Sequence, residues 1–408
     1  MHNWKKHKLK DLVSFKTGKL DSNAAVDGGQ YPFFTCAPET LAINDYVFDT
    51  TAILLAGNNA TGVFPIKFYS GKFNCYQRTY VIENVNAIEC DLKFIYFALQ
   101  MQLSFLQSLS IGAATKFLTK RLLDNLKLPL PDLQTQHKIA AILSSYDDLI
   151  ENNLKRIKLL EETPQITYEE WFVRLKFPGH ETASMDSETG LPVGWGKRNL
   201  QEFCGEITDG THESPKEVED GFKLVTGKHI LNGFIDFETA YSISEKDHLN
   251  IRKRSGLNKG DILFSNIGTL GNIAVVTQDF EFSCKNVVIF KYKNGYSNFL
   301  YTYLANENTK NKLSGQSAGV AQKFYSLKFI RNFDDFFPPN ELIEEFDGMV
   351  KSYYELKYNL HSQNQLLKEA RDILLPRLMT GMIDVEQLVL PEPFSNTASS
   401  PEQESQVA

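Results

Sequence analysis

No stretch of this 408-residue chain approaches the roughly 20 consecutive apolar residues that a bilayer span requires. Residues 1–10 are polar and basic, so no membrane association and a cytoplasmic location are expected. Cysteine is sparse: Cys36, Cys75, Cys90, Cys204 and Cys284 are scattered without a CxxC pair, which speaks against a zinc ribbon and a disulfide framework. Catalytic signatures are missing as well. His180-Glu181 and His212-Glu213 lack the second histidine that zinc binding on a helix needs at i+4, and Gly268-x-x-Gly271 lacks the Lys-Ser/Thr of a phosphate loop. There is no GxSxG elbow. Positive charge in excess is also absent, the net charge being −7. That sum does not exclude a polyanion, because phosphates respond to local potential. Basic residues do cluster at Lys5-Lys6-His7-Lys8, at Lys116 with Lys120-Arg121, and at Arg252-Lys253-Arg254.

What the chain has is a near-repetition of itself. Phe73-Asn74-Cys75-Tyr76-Gln77-Arg78 returns as Phe282-Ser283-Cys284-Lys285-Asn286-Val287 at an offset of 209 (75 to 284), and Lys116-Phe117 returns as Lys323-Phe324 at 207. Trp4, Leu9 and Leu12 answer to Trp195, Leu200 and Phe203 at 191 (4 to 195), so an insertion lies in the second half after Asp209. Solenoid units are roughly 20–50 residues long; a repeat of half the chain means two whole domains. The recurrence of Cys75 as Cys284 is read as packing, since a free buried cysteine behaves as a small apolar residue.

Each half opens with short β-type runs punctuated by Gly and Asn, such as Ile53-Leu54-Leu55 and Ile262-Leu263-Phe264. Aromatic helical stretches follow, and then a proline boundary, Pro129-Leu130-Pro131 or Phe337-Pro338-Pro339. Beyond each boundary the pattern is one long helix. In the second half a three-four spacing runs through Phe346, Met349, Tyr353, Leu356, Leu360, Gln363, Leu367, Ala370 and Leu374; in the first it runs through Ile139, Ile142, Tyr146 and Leu149, then through Ile150, Leu154 and Ile157. Narrow stripes on two helices of one chain predict that they pack together. The first helix is expected to bend or stop near Pro164, the second to end near Pro376. The fold class is therefore α+β: two similar mixed domains, residues 1–130 and 193–337, with two long helices that bury against each other as a coiled coil (131–175 and 338–381). A linker covers 176–192, and 391–408, rich in Ser, Pro, Glu and Gln, reads as a disordered tail.

With catalysis unsupported, recognition chemistry remains. Asn and Gln can make paired hydrogen bonds to adenine, and Arg or Lys to guanine. Side chains of these types recur at matched places with changed identity: Gln77-Arg78 against Asn286-Val287 after Tyr76 against Lys285, and Thr115-Lys116 against Gln322-Lys323. Gln77, Arg78, Asn286 and Gln322 are candidate base readers; Lys116, Lys285 and Lys323 are candidate phosphate contacts. Asn58, Asn59, Asn266 and Thr269 on the matched turns, with Asp209, Thr211 and His212, complete the candidate DNA-facing set. The bland reading of each is an ordinary polar turn, and histidines 137, 229, 248 and 361 read as structural.

In its order of motifs the chain resembles the specificity subunit of type I restriction-modification systems over nearly its full length. The likeness rests on the half-length duplication, the proline-led helix entrance Pro129 to Ile139, and Trp171-Phe172-Val173 with Phe177-Pro178-Gly179-His180. It rests also on Gly194-Trp195, Thr208-Asp209-Gly210-Thr211-His212 with Pro215, and Leu374-Leu375-Pro376-Arg377-Leu378 with Gly381. The resemblance implies two target-recognition domains separated by the long helices as an antiparallel pair, in a non-catalytic subunit in which each domain reads one half of a split, asymmetric site in double-stranded DNA and the helices fix the spacer. It implies docking of two methyltransferase subunits carrying S-adenosylmethionine, and restriction subunits using ATP and Mg in the full complex. The second copy departs at Ile343 for Gln136, and at Leu360 and Gln363 for Asn153 and Arg156. Other readings are a stand-alone methyltransferase or nuclease, an orphan or phage-borne relative that redirects methyltransferases without restriction, and a coiled-coil scaffold that does not bind DNA.

Overall fold

The computed structural model describes residues 4–59, 62–110, 116–231, 233–292, 296–317 and 324–389. Thr115, Gln322, Lys323 and the tail 391–408 lie outside them. The chain divides into two compact units, one of residues 1–152 with 363–408 and one of residues 153–362. The long helices Leu133–Tyr168 and Asn340–Met379 are thus each shared between the units. The segments 131–175 and 338–381, contiguous along the sequence, supply part of the packing of both.

In the first unit a six-stranded sheet is built around Phe48–Ala56, which pairs antiparallel with Ile66–Cys75 on one side and Thr79–Asn84 on the other. Alternation along Phe48-Asp49-Thr50-Thr51 gives way to a continuous buried run from Ala52 to Ala56 because both faces are covered. Strand Tyr31–Phe34 adds parallel to Ile66–Cys75, with Phe34 opposite Cys75. Helix Leu92–Leu109 starts where Asp91 accepts the Phe94 amide at 2.6 Å, and its Phe94, Ile95, Phe97 and Leu99 are fully buried with Ile139, Leu143, Leu378 and Met379. The second unit repeats the plan. Strand Ile262–Ser265 lies between Ile273–Val275 and Val287–Tyr292, and Phe222–Thr226 pairs parallel with Ser283–Lys285, Val225 opposite Cys284.

Those parallel pairs fix the repeat physically: Phe34 matches Val225 at the offset of 191, and Cys75 matches Cys284 at 209. The insertion therefore falls between Thr226 and Ile262. It consists of the hairpin Ile230–Leu231 with Phe234–Ile235 and the helix Glu245–Ser255, started by Ser244, whose Oγ accepts the Asp247 amide at 3.2 Å.

The long helices differ from the sequence reading in two ways. Pro164 neither stops nor ends the first: its ring is buried and the helix continues to Tyr168, then widens into a π turn at Glu169–Val173. The second ends at Met379, three residues beyond Pro376, as expected. The buried stripe is also rotated from the expected one. Met349 and Leu356 are exposed, and the buried line runs through Phe346, Val350, Tyr354, Lys357, Leu360 and Asn364. On the first helix Ile139, Ile150 and Ile157 are buried as expected, but Leu149 and Leu154 are exposed. Polar side chains in the seam explain the error, since a count of apolar residues steps over them. Each has a partner: Arg371 donates to Asp147 at 2.6 Å, Asn364 Nδ2 to the Ile150 carbonyl at 3.4 Å, and Lys357 Nζ to Glu161 at 2.7 Å. Within the first unit the partners 147 and 150 answer to 371 and 364, so the helices there are antiparallel.

Lys357 is fully buried and its ammonium lies over the rings of Phe234, Tyr301 and Tyr358 at 4.8, 5.0 and 5.2 Å. Burial lowers its pKa against the opposing pull of Glu161. Phe234, on the inserted hairpin, also stacks on His361 at 3.7 Å. At the matched place in the first unit, which has no such hairpin, stands buried Ile150. Gln136 is also buried: its Oε1 accepts the Asp91 amide and its Nε2 donates to the carbonyls of Glu89 and Pro131, each at 2.9 Å. Its counterpart Ile343 is equally inaccessible, so this exchange is one of interior packing. In the second unit Asp347 takes over at the helix start, accepting the Phe299 amide at 2.9 Å.

Candidate nucleic-acid interface

In both units the segment after the recurring cysteine meets two other segments at one end of the sheet. In the first, the Gln77 amide donates to the Leu20 carbonyl at 2.9 Å; in the second, the Asn286 amide donates to the Thr211 carbonyl at 3.1 Å. The turn residues correspond too. The Leu118 amide donates to the Gly57 carbonyl and the Tyr325 amide to the Asn266 carbonyl, both at 2.9 Å, while Asn58 faces Phe117 and Ile267 faces Phe324 across equivalent bridges. Even the next carbonyl is satisfied in parallel fashion, by the Tyr80 hydroxyl at 2.9 Å in one unit and by Asn266 Nδ2 at 2.8 Å in the other. Gly57 is required where it stands: a Cβ there would lie 2.5 Å from the Arg78 carbonyl oxygen.

The first unit thus brings together Asn58, Asn59, Gln77, Arg78 and Lys116. Lys116 pairs across from Asn59, and the Arg78 guanidinium lies 5.4 Å from the centre of the Phe117 ring. Asn58 Oδ1 is buried without a hydrogen-bond partner. Gln77, exposed, donates through Nε2 to Asp21.

The second unit brings together Asp209, Thr211, His212, Lys285 and Asn286. His212 Nε2 lies 2.9 Å from Asp209 Oδ2, and its Nδ1 lies 2.9 Å from Asn286 Oδ1. Asp209 is largely buried and is paired with Arg254 of the inserted helix, which also donates to the Gly210 carbonyl at 3.2 Å. Lys285 donates to Ser214, and Thr211 Oγ1 accepts the Glu213 amide at 3.1 Å. Asn266 is buried, its amide committed to the Tyr325 carbonyl; an interior side chain of this kind supports the turn. Thr269 is exposed on the same turn, its carbonyl accepting from Ser265 Oγ at 2.5 Å.

One match is revised by this geometry. Ala56 pairs with Thr79 and Ser265 with Val287, so Val287, fully buried, corresponds to Thr79. Arg78 is an extra residue of the first unit's turn without a counterpart. The shorter turn of the second unit closes with Asn286 in the left-handed region, at φ 52°, a conformation asparagine tolerates better than most residues. Sequence reasoning also missed Asp21 and Arg254 as site residues. Carrying the 191 offset back from His212 leads to Asp21; Arg254 stood in a noted basic cluster but belongs to the insertion.

The thiols beside these turns are not reactive groups. Burial pushes Cys75 and Cys284 each up to about 12. Among the described residues no group of His, Cys, Asp and Glu could hold a metal ion, and no helix is long and apolar enough to cross a membrane.

Two copies of one mixed α+β plan, each presenting a polar turn cluster with changed side chains, define an internally duplicated protein. The sequence matches the family described as the type I restriction modification DNA specificity domain over residues 1–162 and again over 192–341, and the chain belongs to that family. It is 24% identical to the type I restriction enzyme MjaIX specificity subunit of Methanocaldococcus jannaschii across 94% of each chain. Over 163 residues it is 42% identical to the type I restriction enzyme EcoDI specificity subunit of Escherichia coli, an alignment spanning 40% of this chain and 35% of that protein. A crystal structure of the type I restriction-modification S subunit from M. genitalium shares the fold, with a TM-score of 0.59 at 19% identity, covering 92% of this chain and 96% of that one.

Proposed function

We propose that this chain is the DNA-reading subunit of a type I restriction-modification complex and that each unit reads one part of a bipartite, asymmetric site. The observation that carries this reading is the pair of equivalent turn clusters, in which backbone hydrogen bonds coincide while the outward side chains differ. Two readers of one word would share their polar residues; two readers of different words need only share the scaffold. Arg78, Gln77 and Asn286 are the base-reading candidates of the described residues, and Lys116 and Lys285 the phosphate contacts.

The long helices are the spacer element and the docking surface for methyltransferase subunits. Support comes from exposed apolar residues that recur on them: Leu149, Leu366 and Ile373 in the first unit, and Leu356, Leu159 and Ile166 in the second, each matched at an offset of 207. Large apolar side chains exposed in the same arrangement twice fit two copies of one partner. Those partners supply S-adenosylmethionine chemistry, and restriction subunits supply ATP- and Mg-dependent cleavage; this chain contributes binding and position without catalysis, within the cytoplasm.

Exchanging residues 1–130 for the corresponding domain of another family member, in cells carrying the cognate methyltransferase, tests the reading by methylome sequencing. One half of the methylated motif changes and the other stays. A swap that assembles yet alters both halves, or neither, overturns independent reading. Methyl transfer, DNA cleavage or ATP hydrolysis by the purified chain alone overturns the non-catalytic assignment.

A further inference from the structure

The cluster geometry holds a second correspondence, made entirely of side chains. Because Leu20 and Thr211 occupy equivalent bridges with Tyr76 and Lys285, the residues that follow them, Asp21 and His212, are also equivalent. Each is hydrogen-bonded to the amide side chain two residues past the recurring cysteine. Asp21 takes Gln77; His212 takes Asn286.

We propose that the couples Asp21–Gln77 and His212–Asn286 set one base preference in each half-site, Asp21 and His212 being positioning residues that fix which end of the amide faces the DNA. The proposal rests on the DNA-reading role above and deepens it.

A carboxamide carries a donor and an acceptor at one tip, and a half-turn about its last bond exchanges them. Left free, it discriminates poorly; tied at one end, it presents a single pattern. The Asp21 carboxylate only accepts, so it holds the Gln77 NH2 and leaves Oε1 with the second N–H for a base. That combination of one acceptor and one donor suits adenine. In the second couple the imidazole has an oxygen on each side, Asp209 Oδ2 at Nε2 and Asn286 Oδ1 at Nδ1, each at 2.9 Å. Two oxygen partners require N–H on both ring nitrogens; with the amide oxygen engaged by that doubly protonated ring, Asn286 turns its NH2 outward. A donor tip suits the acceptor edges of guanine or thymine.

The imidazole is itself anchored. Asp209, only 11% exposed, is held by Arg254 from the inserted helix. The insertion thus reaches the second couple from behind, and the described residues of the first unit, whose Asp21 needs no orienting partner, include no such helix. The couples themselves are open: Asp21 and Gln77 are exposed, and the His212 side chain is 58% exposed.

The test uses the full chain assembled with its methyltransferase subunit, a duplex library randomised across the site, and methylome sequencing. Exchanging the couple with Asp21→His and Gln77→Asn shifts the preferred base at one position of the first half-word and leaves the second half-word intact. Asp21→Asn, nearly isosteric, frees the amide to turn. It reduces discrimination at that same position by about tenfold while the affinity for the best sequence falls less; Asp21→Glu restores part of the preference. Arg254→Ala relaxes one position of the second half-word only. An unchanged motif with affinity lowered alike for all sequences assigns the couples a structural role and overturns the proposal. If the couple exchange leaves the motif unchanged while the swap of residues 1–130 changes it, the couples fail and DNA reading by the units stands. If the domain swap also changes nothing, the reading itself fails. Should the double exchange not assemble, Asp21→Asn alone decides.

Discussion

Replacing Glu161 by Gln isolates the cost of the buried lysine in the second unit. Lys357 is fully inaccessible, and its described hydrogen-bonding partners are Glu161 at 2.7 Å and the Tyr301 hydroxyl at 3.1 Å. Removing one partner of a buried pair leaves an uncompensated charge and costs about 3–5 kcal/mol. A ceiling follows independently. The lysine can instead lose its proton, which from an unfolded pKa near 10.4 costs about 4.6 kcal/mol at pH 7. Together they place the loss for Glu161→Gln at about 3–4.6 kcal/mol. They also fix the sign of its pH dependence. Burial already lowers the Lys357 pKa, and loss of the carboxylate lowers it further. Between the variant's folded value and the higher one of the wild type, the folded wild type keeps the proton that the folded variant has lost, so the variant gains stability as pH rises, by up to about 1.4 kcal/mol per pH unit relative to the wild type. Lys357→Met behaves differently. Glu161 keeps 35% of its side chain exposed and stays hydrated, so that variant lies within about 1 kcal/mol of the wild type. Urea unfolding of the full chain from pH 7 to 9.5, followed by Trp171 and Trp195 fluorescence, measures all three. A deficit in Glu161→Gln that is constant across that range, or a Lys357→Met variant as damaged as Glu161→Gln, refutes the buried-cation account.

Three further expectations concern the interface and the helices. Lys116→Ala weakens binding to all duplexes alike and lowers the magnitude of the salt slope by about one, whereas Arg78→Ala costs about 1–3 kcal/mol of discrimination at one position; uniform weakening by Arg78→Ala, the motif unchanged, makes it a phosphate contact. Inserting one heptad into each long helix, after Asn152 and after Ser362, keeps the seam period and adds about 10 Å, or about three base pairs, to the non-specific spacer; a methylome with the old spacer and both half-words intact refutes the helices as spacer. At pH 8 a thiol reagent leaves Cys75 and Cys284 unlabelled until the chain is unfolded, since burial holds both thiols near 12; rapid labelling of native protein, mapped by mass spectrometry, contradicts this.

The duplication, the strand-rich halves, the proline-led long helices and the α+β class were legible because they rest on spacing and on residues whose backbone demands are local. What escaped rests on tertiary context. The seam was read about one residue off at Met349 and Leu356 because Lys357 and Asn364 are buried, Arg371 is partly so, and apolar counting skips them. Pro164 was given too much weight: its buried ring is held by packing that a helix-breaking rule does not see. Arg78 was matched to Val287 because the lost turn residue leaves no gap in so short a comparison; only the strand ladders reveal it. Gln77, Arg78 and Lys116 do meet in one cluster, as do Asp209, His212 and Asn286. Asp21 went unnoticed because an aspartate before a turn is unremarkable until its partner is known.

The polar members of the helix seam carry an evolutionary consequence. Apolar seams tolerate slippage, since one leucine contacts another almost as well a turn away. Here Arg371 must find Asp147, Asn364 the Ile150 carbonyl, and Lys357 Glu161. Sliding one helix by a heptad orphans all three at once, each in a place where water cannot substitute freely. If the helices fix the distance between half-sites, that distance is quantised: it changes only when both helices gain or lose matched turns together, so new spacings arise in jumps through paired duplications and never by gradual drift.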